Sequence, residues 1–152
     1  MKNNIKKKII LYIAISLDGF IATKDGSVKW LDKYNESKEN MGYDDFIKSI
    51  DIVIMGNTTY QQILSFDCDY PYKNKKGYVF SNKKTKKDEN ITFVSGNIKK
   101  IINELEGNIW LVGGANLTNQ FINYNLIDEF ILFTMPILLG KGIRLFEETE
   151  NK

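Results

Sequence analysis

Two adjacent glycines, Gly113 and Gly114, separate an apolar run from a stretch with helical periodicity. The run at 109–112 predicts a buried strand, and apolar side chains recur at helical spacing after the pair. Without a Cβ, the backbone can turn sharply at this junction and approach a ligand closely. Free N–H groups at the start of the next helix would stabilise a phosphate. The pair therefore indicates a nucleotide site, although glycine at such a junction also serves simply to turn the chain.

The chain has no histidine and one cysteine, Cys68. This composition excludes Ser-His-Asp and Cys-His nucleophilic systems and the two-histidine zinc motif. It also leaves almost no ligands for structural zinc, so we expect no metal site. Chemistry in this protein must use carboxylates, hydroxyls, backbone groups or a bound cofactor.

Short apolar runs that alternate with amphipathic stretches predict the elements that position these groups. Strands are expected at 7–15, 51–55, 77–80, 91–94, 109–112 and 127–135, and helices at 43–50, 57–64, 97–105 and after the glycine pair. This alternation is typical of an α/β domain with a mainly parallel sheet.

Four of the predicted strands end in small or hydroxyl residues. These ends lie at 14–19, 56–59, 81–82 and 113–116. Ligands of parallel sheets bind outside the carboxyl ends of the strands. A composite nucleotide cleft is therefore the preferred hypothesis.

Composition bounds the remaining possibilities. The 152 residues, 43% hydrophobic, fit one domain spanning 1–152. No apolar run reaches the roughly 18 residues of a membrane span, and Asp18-Gly19 interrupts the apolar stretch that follows the basic N-terminus. The single cysteine excludes an internal disulfide, so we expect a cytoplasmic protein without a membrane partner. Lysines cluster between 73 and 87, but with Arg144 as the only arginine we expect no nucleic-acid partner.

Several motifs, in order, resemble the dihydrofolate reductase superfamily. They are Ala-Ile-Ser-Leu-Asp-Gly-Phe-Ile-Ala at 14–22, Val-Ile-Met-Gly-Asn-Thr-Thr-Tyr at 53–60 and Val-Gly-Gly at 112–114. An acidic pair at 128–129 and Pro-Ile-Leu-Leu-Gly-Lys-Gly-Ile-Arg-Leu-Phe at 136–146 are similar to the riboflavin-biosynthesis pyrimidine reductase, or RibD C-terminal, domain and its stand-alone bacterial relatives. The resemblance implies a dihydrofolate reductase-like, three-layer α/β/α sandwich with a mainly parallel mixed sheet. It also implies an NADPH-dependent reductase.

The same resemblance implies which residues surround the cofactor and substrate. Ala14 and Ile21 would flank the nicotinamide. The pyrophosphate, ribose and adenosine contacts would come from Gly56, Asn57, Thr58, Thr59, Phe80, Ser81, Gly113, Gly114, Ala115, Asn116 and Leu117. The substrate pocket would be lined by Trp30, Tyr43 and Phe46, although Trp30 and Phe46 fit a hydrophobic core equally well.

Three positions depart from the family pattern. Asn57 stands where relatives often place an arginine for the 2′-phosphate, and Lys83 or Lys84 would substitute only as a point charge. Asp44 and Asp45 do not align with the acid that protonates the pterin in the folate enzymes. Phe-Asp-Cys-Asp-Tyr-Pro at 66–71 replaces the loop that holds the riboflavin intermediate. Neither folate nor that intermediate is thereby implied as the substrate.

Two hypotheses follow for function. The first is hydride transfer from NADPH to a small heterocyclic or sugar-derived substrate, with the protein binding, orienting and excluding water. Asp18 is its candidate proton donor, although Asp-Gly is equally typical of a turn and a bound water would also serve. The alternative is a non-catalytic dinucleotide- or small-molecule-binding protein, which the lack of a clear donor favours.

Relatives usually continue past the Leu-Phe motif into another antiparallel strand, whereas this sequence stops at Lys152, six residues after Phe146. We therefore expect either a sheet without that strand or a second chain that covers the exposed edge beside the apolar run at 127–139. Unpaired backbone groups at such an edge invite pairing with a second chain. The sequence predicts a homodimer with 131–146 contributing to its interface.

Overall fold

The computed structural model describes residues 7–35, 42–66, 69–82 and 91–148. Its strands are β1 (Ile9–Ser16), β2 (Phe20–Ala22), β3 (Ile52–Gly56), β4 (Lys76–Phe80), β5 (Ile91–Val94), β6 (Ile109–Gly113), β7 (Glu129–Met135) and β8 (Ile143–Arg144). Its helices are α1 (Asp32–Asn35), α2 (Tyr43–Lys48), α3 (Asn57–Ser65), α4 (Ile98–Asn103) and α5 (Ala115–Asn123), with a 3-10 turn at Lys29–Leu31.

Six strands form one sheet in the order β5-β4-β3-β6-β1-β7, and each pair of neighbours is parallel. Strands β2 and β8 form a separate antiparallel ribbon. The predicted α/β class with a mainly parallel sheet is confirmed. The resemblance implied a mixed sheet. Among the described residues, the antiparallel pairing occurs between β2 and β8, and not within the six-stranded sheet.

Helices cover both faces of the sheet, which confirms the three-layer sandwich. On one face Ile98 and Ile102 of α4 and Leu117 and Phe121 of α5 pack in a single core cluster. On the other face, α2 and α3 pack against a second cluster that includes Val53. The central strands β1, β3 and β6 are buried from both sides, which explains their continuous apolar sequences.

Polar side chains shorten two of the predicted elements. The strand predicted at 127–135 begins at Glu129, because Asp128 exchanges hydrogen bonds with the backbone of Ile9. The helix predicted at 97–105 begins at Ile98, because the Asn97 side chain accepts the N–H of Lys100 as an N-cap.

Asn119, a buried residue of α5, holds the segment that follows β8. Its amide nitrogen donates to the carbonyls of Ala115 (2.7 Å) and Leu145 (2.8 Å), and its oxygen accepts the N–H of Glu147 at 3.0 Å. The neighbouring Leu145 side chain is fully buried. One side chain thus fixes the path of the chain beside α5. Among the described residues, no helix is long and apolar enough to cross a membrane.

Candidate functional site

The carboxyl ends of β4, β3, β6 and β1 lie side by side at one edge of the sheet, because these strands are parallel neighbours. Gly56 is in register with Phe80, and Met55 with Gly113. A Cβ placed on Gly56 would lie 3.9 Å from the Gly113 carbonyl oxygen and 4.0 Å from the Leu117 Cβ. The structure therefore brings together strand ends that are far apart in the sequence.

Two nine-residue helices, α3 and α5, begin at this edge. Their N-caps are Gly56 and Gly114, both with extended backbone, and neither helix has a side-chain cap or an acidic residue in its first turn. A Cβ placed on Gly114 would lie 3.2 Å from the Thr59 hydroxyl, so the two first turns are in contact. The first N–H groups of a helix carry partial positive charge and lack intrahelical partners. Two such sets side by side form a place where an anion is stabilised.

The backbone around the glycine pair is unusual. The peptide bond between Gly113 and Gly114 is cis, and Gly113 has φ +135°. This φ is rarely adopted by residues with a side chain. The side chain of Ile13 reaches this point, 3.8 Å from where a Cβ of Gly113 would lie. Sequence analysis missed Ile13, although strand alternation places it on the same face as Leu11 and Ile15.

The other predicted residues of the two first turns are Asn57, Thr58, Ala115 and Asn116. Asn57 accepts a hydrogen bond from Gln61 at 3.4 Å, and Asn116 accepts one from Gln120 at 2.6 Å. Thr58 and Asn116 are exposed, whereas Asn57 and Ala115 are half-buried. These residues lie in the first turns of α3 and α5, and the amide side chains of Asn57 and Asn116 accept hydrogen bonds from their own helices.

Phe80 and Ser81 end β4, next to β3. The Phe80 ring packs edge-on against Phe121 of α5 at 6.2 Å, and the Ser81 N–H donates to the Val94 carbonyl. Phe80 therefore packs against α5. Lys83 and Lys84 lie outside the described residues.

Asp18 fastens the loop after β1 to the loop after β7. Its carboxylate accepts hydrogen bonds from the Ser16 hydroxyl (2.6 Å), the Leu139 N–H (3.1 Å) and the Gly140 N–H (2.8 Å). The Ser16 hydroxyl, and then the two amides, hold the pKa of Asp18 below its ordinary value of 3.8. Asp18 is therefore ionised at neutral pH, which argues against the proton-donor role suggested by the sequence. Ala14 and Ile21, on the neighbouring strands β1 and β2, are half-buried on either side of this loop.

Tyr43 and Phe46, predicted to line a substrate pocket, belong to an aromatic cluster on the face covered by α2. The Phe46 ring is stacked on Tyr12 at 4.1 Å and lies edge-on to Trp110 at 5.3 Å. These contacts pack the half-buried Phe46 against the core. Tyr43 is half-buried at the first position of α2, beside Tyr12.

Trp30, the third predicted pocket residue, lies in the 3-10 turn after β2. Its indole N–H is buried and has no hydrogen-bond partner among the described residues. A nearby backbone group, the Gly26 carbonyl, accepts a hydrogen bond from Gln62 of α3 at 2.6 Å. This bond ties the segment before Trp30 to α3.

Sequence analysis missed two tyrosines of the same face, Tyr12 and Tyr72. The buried Tyr72 hydroxyl hydrogen-bonds to Tyr43, and burial raises the pKa of all three phenols. The strand alternation of β1 could have identified Tyr12, whereas nothing in the local sequence marks Tyr72. The described residues contain no group of three or more acidic, histidine or cysteine side chains that could hold a metal ion.

The family model of the RibD C-terminal domain matches residues 7–152. YwjB of Bacillus subtilis (strain 168) is 41% identical over 152 residues, covering 97% of this chain and 87% of that protein. YyaP of the same organism is 37% identical over 174 residues, covering 100% and 87%.

Solved structures share the fold. A putative riboflavin biosynthesis protein from Shewanella sp. PV-4 superimposes with a TM-score of 0.86 at 34% identity, covering 95% of this chain and 86% of that one. A Thermotoga maritima diaminohydroxyphosphoribosylaminopyrimidine deaminase/5-amino-6-(5-phosphoribosylamino)uracil reductase gives 0.67 at 16% identity, covering 92% and 48%. Dihydrofolate reductase from Enterococcus faecalis, complexed with NADP(H), gives 0.58 at 14% identity, covering 94% and 79%. At these last two identities the likeness shows the dihydrofolate reductase-like fold alone.

Proposed function

Because this chain belongs to the RibD C-terminal domain family, we propose that it is a reductase that binds NADPH and reduces a small heterocyclic or sugar-derived substrate. The family is related to reductases, and the fold neighbours include a uracil-derivative reductase and an NADP(H)-bound dihydrofolate reductase. These relatives support the class of reaction. The identity of the substrate is left to experiment.

One observation carries the proposal: the paired helix N-termini at Gly56 and Gly114. A dinucleotide pyrophosphate needs several N–H donors close together and no competing carboxylate. The first turns of α3 and α5 meet this need, since they touch through Thr59 and carry no acid. A Cβ at Gly114 would enter the space between the first turns of α3 and α5, which explains the glycine there.

The rest of the site fits the remainder of the cofactor. Phe80 and Ser81 would lie along the adenosine half, and Ala14 and Ile21 beside the nicotinamide. When bound, the reduced nicotinamide supplies a hydride. Asp18 acts on the protein itself, because its three hydrogen bonds hold together the two loops that border the nicotinamide end. The buried indole N–H of Trp30 offers a donor to a carbonyl or ring nitrogen of a ligand.

Titration of the purified protein with NADPH, followed by cofactor fluorescence, tests binding. Loss of reduced-nicotinamide absorbance with a panel of pyrimidines, pterins and sugar-derived ketones or imines then tests turnover. We expect saturable binding and oxidation with at least one heterocyclic member. Absence of NADPH binding would refute the proposal, and binding without oxidation of any panel member would favour the non-catalytic alternative.

We also propose that the protein is a homodimer, supported by the exposed edge of the sheet. Among the described residues, strand β7 is the last in the sheet order, and its Phe130 and Leu132 side chains are 49% and 37% exposed. Phe146, 42% exposed, packs beside Phe130 with ring centroids 6.4 Å apart. An open edge with an apolar face is a template for pairing with a second chain. Light scattering at micromolar concentration should give twice the 17.6 kDa chain mass.

A further inference from the structure

Tyr43 lies at the end of α2 that is nearest to the carboxyl edge of the sheet. Helix α2 leads into β3, so it runs against the direction of the parallel strands. Its last turn reaches the opposite edge, where the Ser49 carbonyl accepts the Asn108 side chain at 3.0 Å and the Asp51 N–H donates to the Asn108 carbonyl. The first residue of α2 therefore points back toward the cleft.

The phenol of Tyr43 stands over the same sheet face as Ala14. Its ring is 6.2 Å from Tyr12 and 6.0 Å from Trp110. Tyr12 and Ala14 are two residues apart in β1, so their side chains share a face about 7 Å apart along the strand. Tyr43 therefore lies over the sheet face on which a substrate beside the nicotinamide end would lie.

The Tyr72 side chain, in the segment before β4, hydrogen-bonds to the Tyr43 hydroxyl. Tyr72 is 9% exposed and packs edge-on against Trp110 at 5.3 Å. Burial is the main cause of its raised pKa, and the hydrogen bond to Tyr43 raises it further. A bond donated by Tyr72 leaves the proton of the half-buried Tyr43 hydroxyl available to a ligand.

Other acids are poorly suited to protonate a substrate here. The chain has no histidine. Asp18 is ionised and bonded to three donors, and Asp44 and Asp45 are exposed on α2. A phenol is a recognised general acid where a carboxylic acid is absent.

We propose that the Tyr43 Oη is the proton donor of the reaction and that Tyr72 is the residue that positions it; this inference rests on the proposed function. As the C=N or C=O carbon of the substrate takes up hydride, its π electron pair moves to the heteroatom. That atom forms a bond to the Tyr43 proton, and the O–H bond of Tyr43 breaks. The Tyr72 hydroxyl stabilises the resulting phenolate, and water reprotonates it.

NMR titration of protein labelled with ¹³C at the tyrosine Cζ tests the pair without substrate. Two groups besides Tyr72 interact electrostatically with Tyr43, namely Tyr12 on β1 and Asp44 on α2. Tyr70 acts on Tyr43 indirectly, because it interacts with Tyr72. Tyr72→Phe should move the Tyr43 titration to higher pH, because the phenolate loses its donor. Tyr124→Phe, at the exposed C-cap of α5, should leave the Tyr43 titration unchanged. An unchanged Tyr43 titration in a folded Tyr72→Phe protein overturns the positioning role.

Activity with the substrate found in the panel tests the donor. Tyr43→Phe should lower kcat at least a hundredfold, as expected for loss of a general acid, while NADPH affinity stays within twofold. Tyr72→Phe should shift the alkaline limb of the rate profile upward, and Tyr124→Phe should match the wild type. Full activity of Tyr43→Phe overturns the donor role. If no panel member is reduced, the donor role fails with the proposed function, and the NMR titration still decides whether Tyr72 controls Tyr43.

Discussion

Gly114→Val is the sharpest test of the paired helix N-termini. Gly114 has φ −82° and ψ −161°, which a residue with a side chain can adopt. Its Cβ would lie 3.2 Å from the Thr59 hydroxyl, so Thr59 must give by a few tenths of an ångström. The γ carbons of valine extend about 1.5 Å further, into the space between the two first turns.

The expected loss follows from the hydrogen bonds to phosphate. A bond between an N–H group and a charged partner contributes about 1.5–3 kcal/mol, and displacement of the phosphate by one methyl group removes at least one. Affinity for NADPH should therefore fall tenfold or more, which corresponds to about 1.4 kcal/mol. Gly56→Ala is the graded comparison, because its Cβ would meet its neighbours at 3.9–4.0 Å, an ordinary contact. It should affect binding less.

Fluorescence titration measures the affinity, and circular dichroism with thermal unfolding confirms that each variant is folded. The variants Gly114→Ala, Thr59→Ala and the double variant Gly114→Ala/Thr59→Ala separate two causes. If Gly114→Ala weakens binding only by crowding the Thr59 hydroxyl, the double variant binds as well as Thr59→Ala alone. If the methyl group occupies the place of the phosphate, the double variant binds more weakly than Thr59→Ala. A folded Gly114→Val protein with wild-type affinity would refute the assignment of the pyrophosphate to this turn.

Four further outcomes are expected. Asn119→Ala should lower the unfolding free energy by about 1–3 kcal/mol, because it leaves the buried Leu145 carbonyl without its donor. Urea unfolding checks this, with Gln120→Ala at an exposed position as a near-neutral control. Folding lowers the pKa of Asp18, so the ionised carboxylate stabilises the folded protein above about pH 3.8, and this contribution is lost as pH falls through the folded-state pKa. The difference in Tm between wild type and Asp18→Asn should therefore shrink at acid pH. If lysines at 83–87 read the 2′-phosphate, NADPH should bind more tightly than NADH, and the preference should fall with added salt; equal affinity at low salt contradicts this. Leu132→Arg on the β7 edge should turn the dimer into a monomer in light scattering, and a wild-type monomer rules out the interface.

Local patterns in the sequence determined the elements and their order. Continuous apolar runs predict strands buried on both faces, and β3 and β6 lie where such runs occur. The glycines at 56 and 114 mark the strand-to-helix junctions, because only a residue without a Cβ leaves that backbone open to a ligand. The parallel sheet then follows from the alternation of strands and helices.

Only the tertiary structure decided which side chains meet. The Asp18 carboxylate accepts hydrogen bonds from the amides of Leu139 and Gly140, more than 120 residues away in the chain, so its role in joining two loops could not be read from its Asp-Gly turn. Phe46 packs against the core because Tyr12 and Trp110, from strands β1 and β6, meet its ring. The pairing of Tyr43 with Tyr72 depends on how α2 and the segment before β4 pack together. Sequence periodicity reports the face of one element at a time, whereas hydrogen bonds and ring contacts between elements depend on how the whole chain folds.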